Sequence, residues 1–199
     1  MKSMDYIDIK ELNKYLKANL KPSRYRHSLG VVDMAVRLAE IYGADVEKAR
    51  IAALAHDIAK CLTPEESNRL VRYYGLPEKY FNNQPIAHSK IGARMLESEF
   101  GLQDPEILLA VSYHTTGKSG MTLLEEIIYV SDAIEVNRTY EDAPRLRKLA
   151  EEDLHEACRE VVEFSLVSLR ERGREIDSDT LEADTYIRNI LLQRGERDG

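Results

Sequence analysis

Apolar side chains recur at intervals of three and four almost from end to end of this 199-residue chain, and no alternating apolar–polar stretch persists. That period suits helices with one buried stripe and leaves no material for a sheet. The expectation is therefore an all-α, single-domain helical bundle. Ile9, Leu12, Leu16 and Leu20 make a first amphipathic helix, and Pro22-Ser23 opens a second that runs to about Tyr42, where Gly43 stops it. Asp45 caps a third helix, expected to continue through Asp57. Thr63-Pro64-Glu65-Glu66 is a capping box with proline at the first helical position, opening a fourth helix that ends near Gly75. Residues 76–86, with two prolines and two asparagines, read as a loop with at most one short helical turn. Helices are expected over 87–100, 105–114, Thr122 to Val136, 144–150, 153–171 and from about Thr180 onward, with a charged, frayed tail after Gly195.

Hydrophobic residues are 43% and charged residues 32%, enough for a genuine core. The net charge of −7, with a pI of about 5.4, argues against coating nucleic acid and leaves room only for a local basic pocket. Nothing approaches the roughly 18 apolar residues that span a bilayer. Cys61 and Cys158 are too few for a disulfide framework and no secretory leader precedes them, so a cytoplasmic location is expected. No repeat or linker divides residues 1–199; the motifs fall within about 23–138, with further helices over 144–194. A homodimer is compatible with this reading.

Against that background, five ionisable groups sit on apolar stripes. His27 shares one with Val31, Met34 and Leu38, and His56 follows Ala49, Ala52 and Ala53. His88 lies with Ile91 and Met95, His114 continues Ile107, Ala110 and Val111, and Asp132 continues Leu124, Ile128 and Tyr129. Asp57 stands beside His56. The fifth histidine, His155, lies in a charged segment that reads as surface. Each group alone has an ordinary explanation: a hydrogen-bonded core histidine, an Asp132–Arg138 pair, an Asp57–Lys60 helix salt bridge. Five such groups on five helices would be an expensive core, because each buried polar group without a partner costs several kcal/mol. A metal ion accounts for them together.

Imidazole and carboxylate ligands suit iron, manganese or zinc. His27, His56, Asp57 and Asp132 make a four-ligand set with positions left open for water and substrate. Such a site lowers the pKa of bound water and delivers hydroxide near neutral pH. His88 and His114 either bind a second metal, with Asp57 bridging, or touch phosphate oxygens. Phosphate chemistry also needs cations, and Lys60, Arg24 and Arg138 stand beside the presumed ligands, with Thr115-Thr116-Gly117 directly after His114.

These residues resemble the HD-domain superfamily of metal-dependent phosphohydrolases, and more closely its YqeK-type subfamily of symmetrical diadenosine tetraphosphate hydrolases. The resemblance rests on Ser23-Arg24-Tyr25-Arg26-His27-Ser28-Leu29-Gly30, His56-Asp57-Ile58-Ala59-Lys60, His88-Ser89-Lys90-Ile91-Gly92-Ala93, Tyr113-His114-Thr115-Thr116-Gly117 and the segment from Tyr129 to Arg138. It implies an HD-type helical bundle and an iron site, of one or two ions with manganese or another divalent metal as substitutes. It further implies cleavage of diadenosine tetraphosphate at its centre into two ADP, through attack of a metal-bound hydroxide on an inner phosphorus. His27, His56, Asp57 and Asp132 would hold the metal; Asp57, Lys60, His88 and His114 would act in catalysis. The nucleotide would touch Arg24, His27, Lys60, His88, Thr115, Asp132 and Arg138, and the Gly173-Arg174-Glu175-Ile176 segment would close over it through Ile176. Ser131 replaces a common alanine, and Thr180 to Thr185 departs further from the pattern. The competing readings are an HD phosphohydrolase for deoxynucleotides, cyclic nucleotides or guanosine polyphosphates, a non-catalytic nucleotide or metal sensor, and a helical scaffold.

Overall fold

Local capping chemistry starts most of the helices. The computed structural model describes residues 7–195, so the tail expected to fray after Gly195 lies outside the described residues. Asp8 caps α1 (Ile9–Asn19) by accepting from the amides of Lys10 and Glu11, and Pro22 opens α2 (Pro22–Tyr42). Gly43 ends α2 in the left-handed region at φ 71°, where a side chain would be strained. Asp45 caps α3 (Val46–Ala55), and the Thr63–Glu66 capping box opens α4 (Pro64–Tyr73). After a single 3-10 turn at Glu78–Tyr80 come α5 (Gln84–Glu99), α6 (Pro105–Tyr113, capped by Asp104) and α7 (Leu123–Ile134, opened by a Thr122–Glu125 capping box). The chain then forms α8 (Ala143–Glu152), α9 (Leu154–Glu171, capped by Asp153) and α10 (Ser178–Gly195). No strand occurs among the described residues, and none of their helices is long and apolar enough to cross a membrane.

Several boundaries shift by two or three residues from expectation, and two of them bear on the fold. Helix α5 begins at Gln84, three residues before position 87, because Pro85 falls in the first turn, where its missing N–H is not needed. Helix α3 stops at Ala55 and does not carry through Asp57: Ile58 and Lys60 donate to the carbonyls of Ala55 and Asp57 in tight turns. Successive side chains on a helix diverge by about 100°. Leaving the helix after Ala55 lets His56 and Asp57 converge on one centre.

The core forms where α3 packs between α2, α6 and α7. Ala49, Ala52, Ala53 and Ala55 are all fully buried, and their small side chains let the neighbouring backbones come close. Behind them Leu38, Ile91, Leu96, Ile107, Ile127 and Ile128 fill the interior. The far end of α7 is held by one guanidinium. Arg147 donates to the carbonyls of Ile134 (2.6 Å), Glu135 (2.8 Å) and Arg138 (2.6 Å), at the helix end and in the turn just beyond it. Lysine cannot reproduce that fork. Arg147→Lys is expected to lower stability by about 1–3 kcal/mol, read from the urea midpoint, as befits charged hydrogen bonds; an unmoved midpoint would show that the fork contributes nothing.

Candidate metal centre

His56 and His114 reach their positions by the same local solution. Each stands at the C-cap of its helix and donates Nδ1–H to the carbonyl three residues back, Ala53 (2.6 Å) and Val111 (2.7 Å). Those carbonyls are among the last four of a helix, which have no partner in the helix itself. His88 Nδ1 lies 3.3 Å from the Gln84 carbonyl, one turn back on α5. On α2, His27 Nδ1 faces the Glu135 carboxylate at 3.0 Å. An oxygen acceptor at Nδ1 requires the proton there, so all four rings direct Nε2 inward.

The inward atoms meet at two carboxylates. Asp57 is 2% exposed, and its Oδ2 lies 3.3 Å from His56 Nε2 and 3.9 Å from His27 Nε2. His27 Nε2 is also 2.9 Å from Asp132 Oδ1 on α7. The other Asp57 oxygen, Oδ1, lies 3.2 Å from His88 Nε2 and 3.6 Å from His114 Nε2. His27 Nε2, His56 Nε2 and Asp57 Oδ1 are buried without a hydrogen-bond partner among the described residues. Lone pairs facing one another at these distances need a cation between them. With bonds of about 2.1 Å, ligands around one ion sit about 3.0–3.4 Å apart, so the residues fit a divalent metal. Two groups share Asp57, one with His27 and His56 and the other with His88 and His114, and a third joins His56, His114 and Asp132.

Electrostatics favour the ligand state. Burial alone would raise the Asp57 carboxyl, but the charge on His56 and the close imidazoles of His114 and His88 hold it well below the usual range. Asp132 is likewise held down, against burial, chiefly by His27 and His56. Burial pushes His88 down to about 4 and lowers His114, so both are neutral at pH 7. His56 goes the other way: burial opposes its charge, but Asp57 and Asp132 prevail. A metal would compete with that proton.

The cations expected at the site are there. Arg24 Nη1 is 3.0 Å from Asp57 Oδ2, Lys60 Nζ is 3.1 Å from His88 Nε2 and 3.7 Å from Asp57 Oδ1, and Arg138 Nη2 is 2.9 Å from Asp132 Oδ1. Thr115 Oγ1 lies 3.1 Å from His114 Nε2. Lys60, His114, Thr115, Asp132 and Arg138 line one cleft of about 280 Å³. Ile176 does not line it; the side chain packs against the core just before α10. His155 is not the free surface residue its charged neighbours suggested, because its Nδ1 sits 2.6 Å from the buried Glu126 carboxylate.

Glu135 is a candidate site residue that periodicity did not single out. It is 1% exposed and saturated: Oε1 faces His27, while Oε2 accepts from the backbone and side-chain nitrogens of Asn137 at 2.7 and 2.8 Å. The only signal was a carboxylate one turn after Asp132. Gly30 makes room for it, since a Cβ there would stand 2.2 Å from Glu135 Oε2. Gly30→Ala should therefore push Glu135 off His27 and weaken metal binding about 10–100-fold, the usual effect of losing a carboxylate behind a histidine ligand. Chelator competition measures this, and unchanged affinity would remove Glu135 from the site.

Comparison with known proteins extends these observations. Residues 24–137 match the family described as HD domain. A Bacillus subtilis protein named bis(5'-nucleosyl)-tetraphosphatase, symmetrical, is 40% identical over 166 residues, covering 83% of this chain and 89% of its own. A protein of the same name from Halalkalibacterium halodurans is 35% identical over 180 residues, covering 90% and 95%. The crystal structure of a Clostridium acetobutylicum protein, described as a predicted HD superfamily hydrolase involved in NAD metabolism, superposes with a TM-score of 0.86 at 38% identity, covering 90% of this chain and 96% of that one.

Proposed function

The chain belongs to the HD domain family, and from that premise we propose that it is a metal-dependent hydrolase that splits diadenosine tetraphosphate symmetrically into two ADP. The observation that carries this reading is the Asp57 carboxylate, whose two oxygens face separate sets of inward Nε2 atoms, with Arg24 and Lys60 beside it and Arg138 on Asp132. The relatives' name supplies the substrate.

In this proposal His27, His56, Asp57 and Asp132 hold one ion, and His88, His114 and the second oxygen of Asp57 offer a further position. Iron is the metal favoured by the family resemblance, with manganese as a substitute. When bound, the metal lowers the pKa of a water ligand and polarises the phosphoryl oxygen. The protein's own part is to orient and neutralise the polyphosphate. Lys60, at Asp57 and His88, and Arg138, at Asp132, offset charge that grows on the non-bridging oxygens during in-line displacement. Arg24 and Thr115 add donors at the edge. The bond between an inner phosphorus and the central bridging oxygen breaks; one ADP gains the oxygen of water, and the other departs with the bridging oxygen. A proton for that oxygen comes from a neighbouring donor such as Lys60, 3.7 Å from Asp57 Oδ1, while the inward Nε2 atoms of His88 and His114 serve the further metal position. A nucleotide substrate and two free cysteines suit a cytoplasmic enzyme.

Protein loaded anaerobically with iron, and in parallel with manganese or zinc, tests the reading against the family's other substrates. Diadenosine tetraphosphate should be consumed at least about 100-fold faster, by kcat/KM, than deoxynucleoside triphosphates, cyclic nucleotides or guanosine polyphosphates. Faster turnover of any of these would transfer the proposal to that substrate. Tight binding without turnover would make the chain a sensor.

A further inference from the structure

The cleft of about 280 Å³ beside Asp132 continues past the ligand cluster. Its far wall is built by Tyr129, Tyr140, Phe164 and Ser165, none of which the hydrolysis described above requires. The volume is close to the lower end of small-ligand pockets, about 300 Å³. Tyr140 and Phe164 lie nearly parallel, 15° apart with centroids at 5.5 Å. Phe164 remains 54% exposed, an aromatic ring left open to solvent at the rim of a cleft. The Tyr129 hydroxyl on the same wall is buried, with the Ser165 hydroxyl as its polar neighbour.

This wall is rigidly joined to the metal-ligand cluster. The Tyr140 hydroxyl donates to the Ala133 carbonyl at 3.0 Å, next to Asp132. Arg138 grips Asp132 twice, through its carbonyl (3.0 Å) and its carboxylate (2.9 Å), and Arg147 pins the carbonyls on either side of the intervening turn. Asp132 thus holds Arg138 and the next residue, Ala133, holds Tyr140, so that cation and aromatic pair line one cleft running out from the ligand cluster. A phosphate-to-base order would follow the same path.

We propose that the Tyr140–Phe164 pair is the seat of one nucleoside of the substrate, with the base covering the exposed face of Phe164 and the Tyr129 and Ser165 hydroxyls facing the nucleoside. The diphosphate then runs past Arg138 to the cluster. Base–aromatic stacking tolerates any base, which makes the pair a shelf for a nucleoside rather than a reader of one base. With one nucleoside anchored there, the distance from shelf to cluster selects which phosphorus is attacked. The proposal rests on the hydrolase reading above and adds residues that determine where the substrate is cut.

The chain contains no tryptophan, so Phe164→Trp introduces a single fluorescent reporter on the shelf. In metal-loaded protein, saturating ADP should quench its emission, and the half-point should match the affinity found by calorimetry. Inorganic pyrophosphate, which lacks a base, should bind and leave the emission unchanged. Phe164→Ala should weaken ADP about tenfold and pyrophosphate less than twofold. Wild-type ADP affinity in Phe164→Ala, or unquenched emission at saturating ADP, would overturn the shelf. Quenching in a protein that does not split diadenosine tetraphosphate would keep the shelf and overturn only the function proposed above. Hydrolysis without quenching would do the reverse.

Discussion

Asp57→Asn should leave a folded helical protein whose kcat has fallen by about 10³-fold or more, the scale expected when a group that organises transition-state charge is removed. The two residues have nearly the same volume, so no cavity opens. What changes is the donor set. Both oxygens of Asp57 are used, Oδ2 toward His56 at 3.3 Å and Oδ1 toward His88 at 3.2 Å. Asparagine keeps one acceptor and turns the other into an N–H donor, which cannot serve a cation. Arg24 and Lys60 lose their common counter-charge at the same time. Metal analysis of the purified variant should show less than half the wild-type content. Removing one member of a buried charged cluster costs about 3–5 kcal/mol, so circular dichroism and the melting midpoint belong beside the rate. Wild-type turnover in a folded Asp57→Asn protein would contradict the assignment of Asp57 to the centre.

Chelation should have the second-largest effect. A metal that binds only the native state at about 100 times its dissociation constant stabilises by about 2.7 kcal/mol. For a chain of this size, stripping it should lower Tm by roughly 5–10 °C. Activity should disappear together with the lost stability, and both should return when manganese or iron is restored. The reason is geometric: His27 Nε2 and Asp132 Oδ1 stand 2.9 Å apart, and His88 Nε2 and His114 Nε2 stand 3.1 Å apart, with all three histidines buried. Acid should weaken metal binding, because the imidazoles must shed their protons to coordinate. An unchanged Tm after full chelation would mean that no ion bridges these helices.

How much of this was legible before the structure depended on distance along the chain. The caps at Asp45, Thr63, Asp104 and Thr122 are written within four residues, and the helices they open are found where expected. The inward histidines were legible for the same reason, because each shares a stripe with apolar neighbours. The end of α3 was not, since the turns after Ala55 exist to bring His56 and Asp57 to one centre, and that centre is assembled from five helices. Glu135 was hidden because its partner His27 lies 108 residues away, and the need for Gly30 appears only when α2 meets the end of α7. His155 looked like surface because its neighbours are charged, while its partner Glu126 is buried on α7. Tyr140 and Phe164 carry no pattern at all in the sequence, lying 24 residues apart on a turn and a separate helix.

Hydrolysis of diadenosine tetraphosphate by the metal-loaded protein in ¹⁸O-water, with the products separated and weighed by mass spectrometry, tests the whole account at once. The account predicts ADP as the sole nucleotide product, with one ¹⁸O atom in half of the molecules, because water attacks an inner phosphorus once per cleavage. Formation of AMP and ATP, or no cleavage with any of the metals, would contradict it.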